Sequence, residues 1–204
     1  MNSARSITLD LVRHGEVRTP GLLCAAAEEP LSSEGWAKMR ALKSRNDWDA
    51  ILCSPSRRCA EFAAELGEHL EIPLKTDPAW RELDFGSWTG KQQEMLWQSD
   101  RDRLLRLWTR PLEFVAPDGE HMSDFATRVQ DALQRLLGDP PGEKLLLITH
   151  AGVIRIILAA TLGIDPIAAQ RFSIAYAGLN RIRAFPDGEF SLLQWGIDTP
   201  ARPV

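Results

Sequence analysis

Three short apolar runs, each handing the chain on to a helical pattern, restrict this sequence to very few architectures. Ile7 to Val12, Ala50 to Cys53 and Leu145 to Thr149 have the length and composition of strands buried on both faces. Because helical periodicity follows each run, the spacing predicts a three-layer α/β sandwich, a mostly parallel sheet flanked by helices. A helix is expected from about Ser32 to Arg45. Ser54-Pro55 supplies a capping residue and a helix-compatible proline, opening a second helix that continues to about Leu70. A third, within Asp118 to Gly138, sets Phe125, Val129, Leu133 and Leu136/Leu137 on one stripe, with Gly138 just past its end. Phe172 to Tyr176, Arg181 to Phe185 and Phe190 to Trp195 read as strands closing the sheet, with Pro186-Asp187-Gly188 as a turn and the residues after Trp195 as a tail.

Between Gly86 and Pro117 the pattern changes to a Trp-rich helical insert. Trp97, Leu104, Leu105 and Trp108 stand at helical spacing, and Ser99/Asp102 resembles a capping box. Such a stripe is ordinary core in the first instance, and its place in the chain predicts a small helical lid beside the sheet. No repeat or low-complexity stretch divides the 204 residues, which read as a single domain over 1–204 with a lid-like insert at about 86–117.

Composition narrows the function. With 24 basic against 28 acidic residues the formal charge is −4, which offers no electrostatic reason to bind nucleic acid or an anionic membrane. Cys24, Cys53 and Cys59 are odd in number and lack C-x-x-C pairing, so neither a disulfide framework nor a zinc ribbon is indicated. Met1 to Ser6 is short and polar and leads straight into the first strand, which predicts no signal peptide; Gly152 to Ile164 is too short to span a bilayer and carries Arg155. A cytoplasmic protein without membrane or nucleic-acid partners is expected.

In open parallel sheets ligands bind beyond the carboxyl ends of the strands. There the three runs agree in kind. They lead into Arg13-His14-Gly15-Glu16, Ser54-Pro55-Ser56-Arg57-Arg58 and Thr149-His150-Ala151-Gly152. Two histidines, arginine forks and two helix starts at one rim predict a phosphate site. A lone strand-end histidine is structural more often than catalytic, but two at neighbouring strand ends with arginines beside them reverse that. His69, near a helix end, reads as solvated, and His121 falls in a loop or at a helix start. Arg57 lines up with Glu61 and Glu65 at four-residue spacing, an ion-paired solvent face, whereas Arg58 lines up with Phe62 and Leu66 toward the core. Arg58 is therefore the ligand expected from this pair. Along Trp80 to Gly86, Glu82 and Asp84 share one face and Leu83 and Phe85 the other, so either carboxylate could serve the site.

Leu11-Val12-Arg13-His14-Gly15-Glu16 resembles the R-H-G signature of the histidine phosphatase superfamily, the phosphoglycerate-mutase-like fold, and the likeness covers nearly the whole chain. It implies His14 as the nucleophile and Arg13, Arg58 and His150 as phosphate ligands. It implies Glu82, four residues before Gly86, as the general acid, and Ser54 as the serine four residues before the second arginine. Asp118-Gly119-Glu120-His121 resembles the family's G-E-S element with His121 in the place of serine, which puts His121, like Asp84, near substrate. Trp36 to Arg40, the Arg-Glu-Leu-Asp-Phe-Gly run and Thr149 to Arg155 resemble the short phosphatases similar to α-ribazole-5′-phosphate phosphatase, a group tied to cobalamin assembly. The family's chemistry needs no metal and no cofactor. The loop after His14 departs from the family pattern: Val17, Arg18-Thr19-Pro20-Gly21 and Leu22 to Ala27 replace polar, Gly-containing positions.

The resemblance implies phosphomonoester hydrolysis through a covalent phosphohistidine, with a small phosphate ester as substrate. The rivals are mutase-type phosphoryl transfer and a module that binds phosphate ligands with weak turnover.

Overall fold

The computed structural model describes residues 5–19, 21–23, 28–45 and 47–197. Pro20 and Cys24 to Ala27 of the atypical loop lie outside the described residues. Six strands form one mixed sheet: β1 (Ile7–Arg13), β2 (Ala50–Cys53), β3 (Leu74–Thr76), β4 (Lys144–Thr149), β5 (Leu179–Ala184) and β6 (Phe190–Ile197), in the order β3-β2-β4-β1-β5-β6. β3, β2, β4 and β1 run parallel, while β5 and β6 close the edge antiparallel.

Around the sheet lie α1 (Ser33–Arg40), α2 (Arg57–Leu70), α3 (Gln93–Ser99), α4 (Arg101–Thr109), α5 (Met122–Gly138), α6 (Ala151–Leu162) and the single turn α7 (Pro166–Ala169). The pleat divides the core in two. Leu9, Leu11, Leu145 and Leu147 face α5, α6 and the insert, and Val12, Leu146 and Ile148 face α1 and α2. Asp10, buried on the second face, is held by both nitrogens of an Arg181 fork at 2.6 and 2.7 Å and by Trp48 Nε1 at 2.8 Å. A buried carboxylate survives only when its lone pairs are met in this way.

Several local expectations are corrected. Phe172 to Tyr176 is not a strand: the segment is irregular and wraps the rim of the sheet. Gly196 and Ile197, expected in a tail, belong to β6, and β3 gave no signal in the sequence. The helix expected to open at Ser54-Pro55 begins at Arg57, with Ser56 in the cap position. The helix within Asp118 to Gly138 starts at Met122 and includes Gly138; Asp118 has a φ of 57°, which no helical residue can adopt. Ser99 forms no capping box, since its hydroxyl donates to the Met95 carbonyl at 2.9 Å, and Trp97 is 42% exposed under Arg101 rather than in the core.

The insert is nonetheless tied down. Trp88, Leu96, Leu104 and Phe114 are buried in the same cluster as Phe125 and Ile156. The atypical loop is laced to it through backbone bonds from Leu23 N to the Lys91 carbonyl (3.0 Å), Gly90 N to the Leu23 carbonyl (2.8 Å) and Gln93 N to the Gly21 carbonyl (3.0 Å). Val17, buried, bridges Leu31. No helix of the described residues is long and apolar enough to cross a membrane.

Candidate active site

Register builds the site. β1 and β4 pair with Arg13 opposite Thr149, and β2 pairs with β4 at Cys53 and Ile148, so the chain leaves all three strands at one level. One further rung on each side, His14 N to the Thr149 carbonyl (2.9 Å) and Ser54 N to the Ile148 carbonyl (3.1 Å), sets His14, Ser54 and His150 side by side at the carboxyl rim. Gly15 is required just beyond, because a Cβ there would lie 2.5 Å from the Gly35 carbonyl oxygen, and one on Gly35 would lie 2.2 Å from that of Glu16. The pair of glycines lets the turn lie flat against the start of α1.

In that turn His14 Nδ1 is 2.8 Å from the Gly15 carbonyl oxygen. A carbonyl can only accept, so Nδ1 carries the proton and the lone pair belongs to Nε2. Burial, then the nearby Arg58 and Arg13 charges, hold the imidazole pKa well below its ordinary value, against the opposing Gly15 bond. His14 is therefore neutral, with an unprotonated Nε2 and the charges of two arginines close by.

Arg13 donates from Nη1 to the Ile174 carbonyl at 2.7 Å, and its guanidinium carbon lies 3.6 Å above the Tyr176 ring, which is itself 5.6 Å from the His14 ring. Burial lowers its pKa, partly countered by Tyr176 and Glu82. Arg58, 1% exposed in the first turn of α2, comes 3.3 Å from His150 Nδ1 with Nη2. Arg57 turns outward to Glu61 at 2.7 Å, as the helical geometry required, while Glu65 is taken by Arg40 and Lys43.

His150 is fully buried at the start of α6, its ring 5.3 Å from that of His14 in an edge arrangement. Since Arg58 can only donate, Nδ1 is the acceptor, and Nε2 donates to Ser54 Oγ at 2.8 Å. Ser54 in turn donates to Ser56 Oγ at 3.2 Å. Burial first, then Arg58, His14 and Arg13, keeps this imidazole neutral as well. Cys59 Sγ packs 3.8 Å behind it; burial pushes that thiol up, so it stays protonated.

Glu82 is half-buried, its carboxylate accepting from Gly152 N at 3.1 Å in the first turn of α6 and from Leu83 N at 3.2 Å. It also lies close enough to Arg13 and to half-buried Arg155 to favour their charged forms. Glu82 lines a cleft of about 590 Å³ with Asp84, Asp118 and Glu120. Leu83 and Phe85 are buried on the opposite face, as the alternation predicts. Asp84 is exposed and its Oδ1 accepts from Gly86 N at 2.8 Å. His121 is exposed too: it occupies the cap position of α5, with Nδ1 2.9 Å from Ser123 Oγ, and shares no ring contact or hydrogen bond with His14 or His150 among the described residues.

The structure thus brings Arg13, His14, Arg58 and His150 together with Glu82 beside them, and leaves Asp84 exposed on the Glu82 cleft, bonded to Gly86 N, and His121 at the cap of α5. The sequence reasoning missed Tyr176, whose segment had been assigned to a strand. It also missed the steric demand at Gly152, where a Cβ would lie 2.1 Å from Glu82 Oε1. Two guanidinium groups, the N–H groups opening α6 other than that of Gly152, and the two imidazoles between them form a cradle for a tetrahedral dianion. Among the described residues, no three or more His, Cys, Asp or Glu side chains converge to hold a metal ion.

The chain is similar to several known phosphatases. The adenosylcobalamin/alpha-ribazole phosphatase of Escherichia coli K12 is 26% identical over 170 residues, which cover 80% of this chain and 83% of that one. The alpha-ribazole phosphatase of Shigella flexneri superposes with a TM-score of 0.82 at 24% identity, over 94% of this chain and 97% of that one. A mycobacterial glucosyl-3-phosphoglycerate phosphatase superposes at 0.81 with 20% identity, over 94% and 99%. The model of the histidine phosphatase superfamily, branch 1, matches residues 9–198, and the chain belongs to that superfamily and is a phosphatase.

Proposed function

We propose that the protein hydrolyses a small phosphate monoester in two steps through a phosphohistidine on His14. In the first, the Nε2 lone pair attacks phosphorus, the N–P bond forms and the ester P–O bond breaks, and Glu82 gives its proton to the departing oxygen. In the second, Glu82 takes a proton from water as the water oxygen displaces Nε2, releasing inorganic phosphate. Arg13, Arg58 and the α6 amides other than that of Gly152 meet the charge on the equatorial oxygens, the dominant contribution where positioning and electrostatics are most of the catalysis, and His150 joins them by turning its one N–H from Ser54 Oγ to a phosphate oxygen.

One observation carries the reading: the Gly15 carbonyl fixes the tautomer of a neutral His14 that feels the charges of two nearby arginines and keeps the Nε2 lone pair. A module that only bound phosphate would gain from a charged imidazole there, and would have no use for a basic nitrogen held among cations.

Residues 86–117 share the buried cluster of α5 and α6, which supports reading 1–204 as one domain whose insert walls the site. Residues 21–23 are tied by backbone bonds to the same insert, and the apolar Leu22 and Leu23 in the loop that follows His14 favour an ester of an apolar or heterocyclic alcohol as substrate, α-ribazole 5′-phosphate among the candidates. Cys53 and Cys59 are free and buried, in keeping with a reducing, cytoplasmic compartment.

Rapid quenching of the enzyme with a ³²P-labelled aryl phosphate tests the mechanism. Acid-labile, base-stable label is expected on His14, absent from His14→Ala together with turnover, and unaffected by EDTA. Activity of His14→Ala within tenfold of wild type, or activity lost to EDTA and restored by metal, would overturn it.

A further inference from the structure

Glu82 sits in irregular chain, between the helical turn Pro78–Trp80 and the tight turn at Gly86, where no ladder of sheet or helix bonds fixes its backbone. A proton donor on such a segment needs another support. Arg128 of α5 supplies one. Its Nη1 donates to the carbonyls of Ala79 (2.8 Å) and Arg81 (3.0 Å), and its Nη2 to the carbonyl of Glu82 itself (3.1 Å). The guanidinium is aimed by a forked pair with Glu120, Nε to Oε1 at 2.7 Å and Nη2 to Oε2 at 2.9 Å, and lies 4.8 Å from the centre of the Phe125 ring.

Glu120 closes the ring on the far side. Its Oε2 accepts from Asp84 N at 3.3 Å and its own N–H donates to the Asp84 carbonyl at 2.9 Å. One fork thus grips the main chain at residues 79, 81 and 82, and its counter-ion grips it at 84, while the carboxylate at the other end of the Glu82 side chain rests on Gly152 N. This arrangement gives Asp118-Gly119-Glu120 a purpose: Gly119 passes so close to Asp84 that a Cβ would lie 2.5 Å from its carbonyl oxygen.

We propose that Arg128, held by Glu120, is the positioning residue that fixes Glu82 at the distance where it can protonate the leaving oxygen. This rests on the assignment of Glu82 as general acid. A planar fork is essential, because only a guanidinium offers five donors at fixed angles; an ammonium at the same place keeps the charge and loses the geometry. The effect of its loss should depend on the leaving group. An alkoxide cannot depart without a proton, whereas 2,4-dinitrophenolate can, so a misplaced acid slows only the first.

The test is kcat/KM, which reports the step that breaks the ester bond, for a series of esters from 2,4-dinitrophenyl to alkyl phosphate. Arg128→Lys and Glu120→Gln, approaching the fork from its two sides, should each lose about a hundredfold on the alkyl ester and less than about threefold on the dinitrophenyl ester. Glu82→Gln serves as the reference and should show the same steepening. If Glu82→Gln loses activity equally across the series, the acid assignment fails and the proposal with it. If Glu82→Gln steepens the series while both other variants, folded by circular dichroism, lose activity uniformly or not at all, Arg128 is merely structural and the proposal alone is overturned. Should Arg128→Lys fail to fold, Glu120→Gln decides by the same criterion.

Discussion

Replacing Gly152 by alanine should separate stability from catalysis. The new Cβ would stand 2.1 Å from Glu82 Oε1, where ordinary contact begins near 3.4 Å, so the carboxylate must retreat by about 1.3 Å. The remaining neighbour, Phe125 Cζ at 3.3 Å, gives way with a small shift of the ring. The atom in the way is the end of a flexible side chain, so the fold has an inexpensive escape. The backbone is already helical at Gly152, and a Gly→Ala change at a compatible position stabilises by about 0.4–1 kcal/mol through the unfolded chain. Catalysis has no such escape. A misplacement of about 1 Å in a reacting group costs roughly a hundredfold, or about 2.7 kcal/mol of transition-state stabilisation. The expected result is a melting temperature equal to or above that of wild type, with kcat/KM on an alkyl phosphate down about a hundredfold and that on 2,4-dinitrophenyl phosphate much less. Scanning calorimetry and steady-state kinetics on the two esters suffice. An alkyl-ester rate within threefold of wild type would refute the close approach of Glu82 to α6. So would a melting temperature several degrees lower, since the backbone rather than the carboxylate would then have yielded.

Arg58→Ala should lower kcat/KM by about a hundredfold or more, the usual worth of a preorganised charge contact of ~3–4 kcal/mol, whereas Arg57→Ala, removing only an exposed pair with Glu61, should cost little; equal losses would contradict the assignment. His14 and His150 stay neutral when folded but take up protons near pH 6.5 when unfolded, so the unfolded state binds more protons below that pH. Their contribution to stability is complete above about pH 6.5 and declines as the pH falls beneath it, by about 1.4 kcal/mol per pH unit for each imidazole. Urea unfolding at pH 7.5 and 5.5, above the range of ordinary carboxylates, reads this directly, and equal stabilities would show that the imidazoles charge in the folded protein. Esters with an aromatic or heterocyclic alcohol, α-ribazole 5′-phosphate included, should exceed 3-phosphoglycerate in kcat/KM by more than about tenfold if Leu22 and Leu23 shape the wall; a flat profile across a panel of esters would count against that wall.

The buried strands and the long helices were legible because burial on both faces and a stripe at 3.6-residue period leave strong marks. The failures have identifiable causes. Phe172, Ile174 and Tyr176 alternate as a strand would, yet the alternation records one-sided burial of an irregular segment: the Phe172 and Ile174 carbonyls accept from Arg155 and Arg13, not from a neighbouring strand. β3 is three exposed residues at the sheet edge, Leu-Lys-Thr, with too little burial to create a pattern. A ladder of backbone bonds is invisible to a reading based on side-chain burial, so both errors have the same origin.

At the site the misread signal is itself informative. Ser54 has the identity of a helix cap and stands in front of a proline, so a cap was the natural expectation. Its hydroxyl instead accepts the His150 Nε2 proton, and α2 starts three residues later from Ser56 without a side-chain cap. The exchange has a physical logic. A helix can begin from an uncapped turn at a cost of about 1 kcal/mol, since water reaches its first amides. A neutral imidazole buried between Arg58 and the His14 ring has one N–H and no water to receive it, and with Nδ1 turned to Arg58 that N–H is on Nε2 and needs an acceptor. Without Ser54 that N–H would be buried and unsatisfied, a penalty of about 1–3 kcal/mol at the centre of the site. The tautomers of both histidines are thus set by oxygen acceptors supplied next to the strand ends, Gly15 O for His14 and Ser54 Oγ for His150. Both rings remain neutral among cations, one presenting a lone pair for attack and the other part of the surrounding cradle.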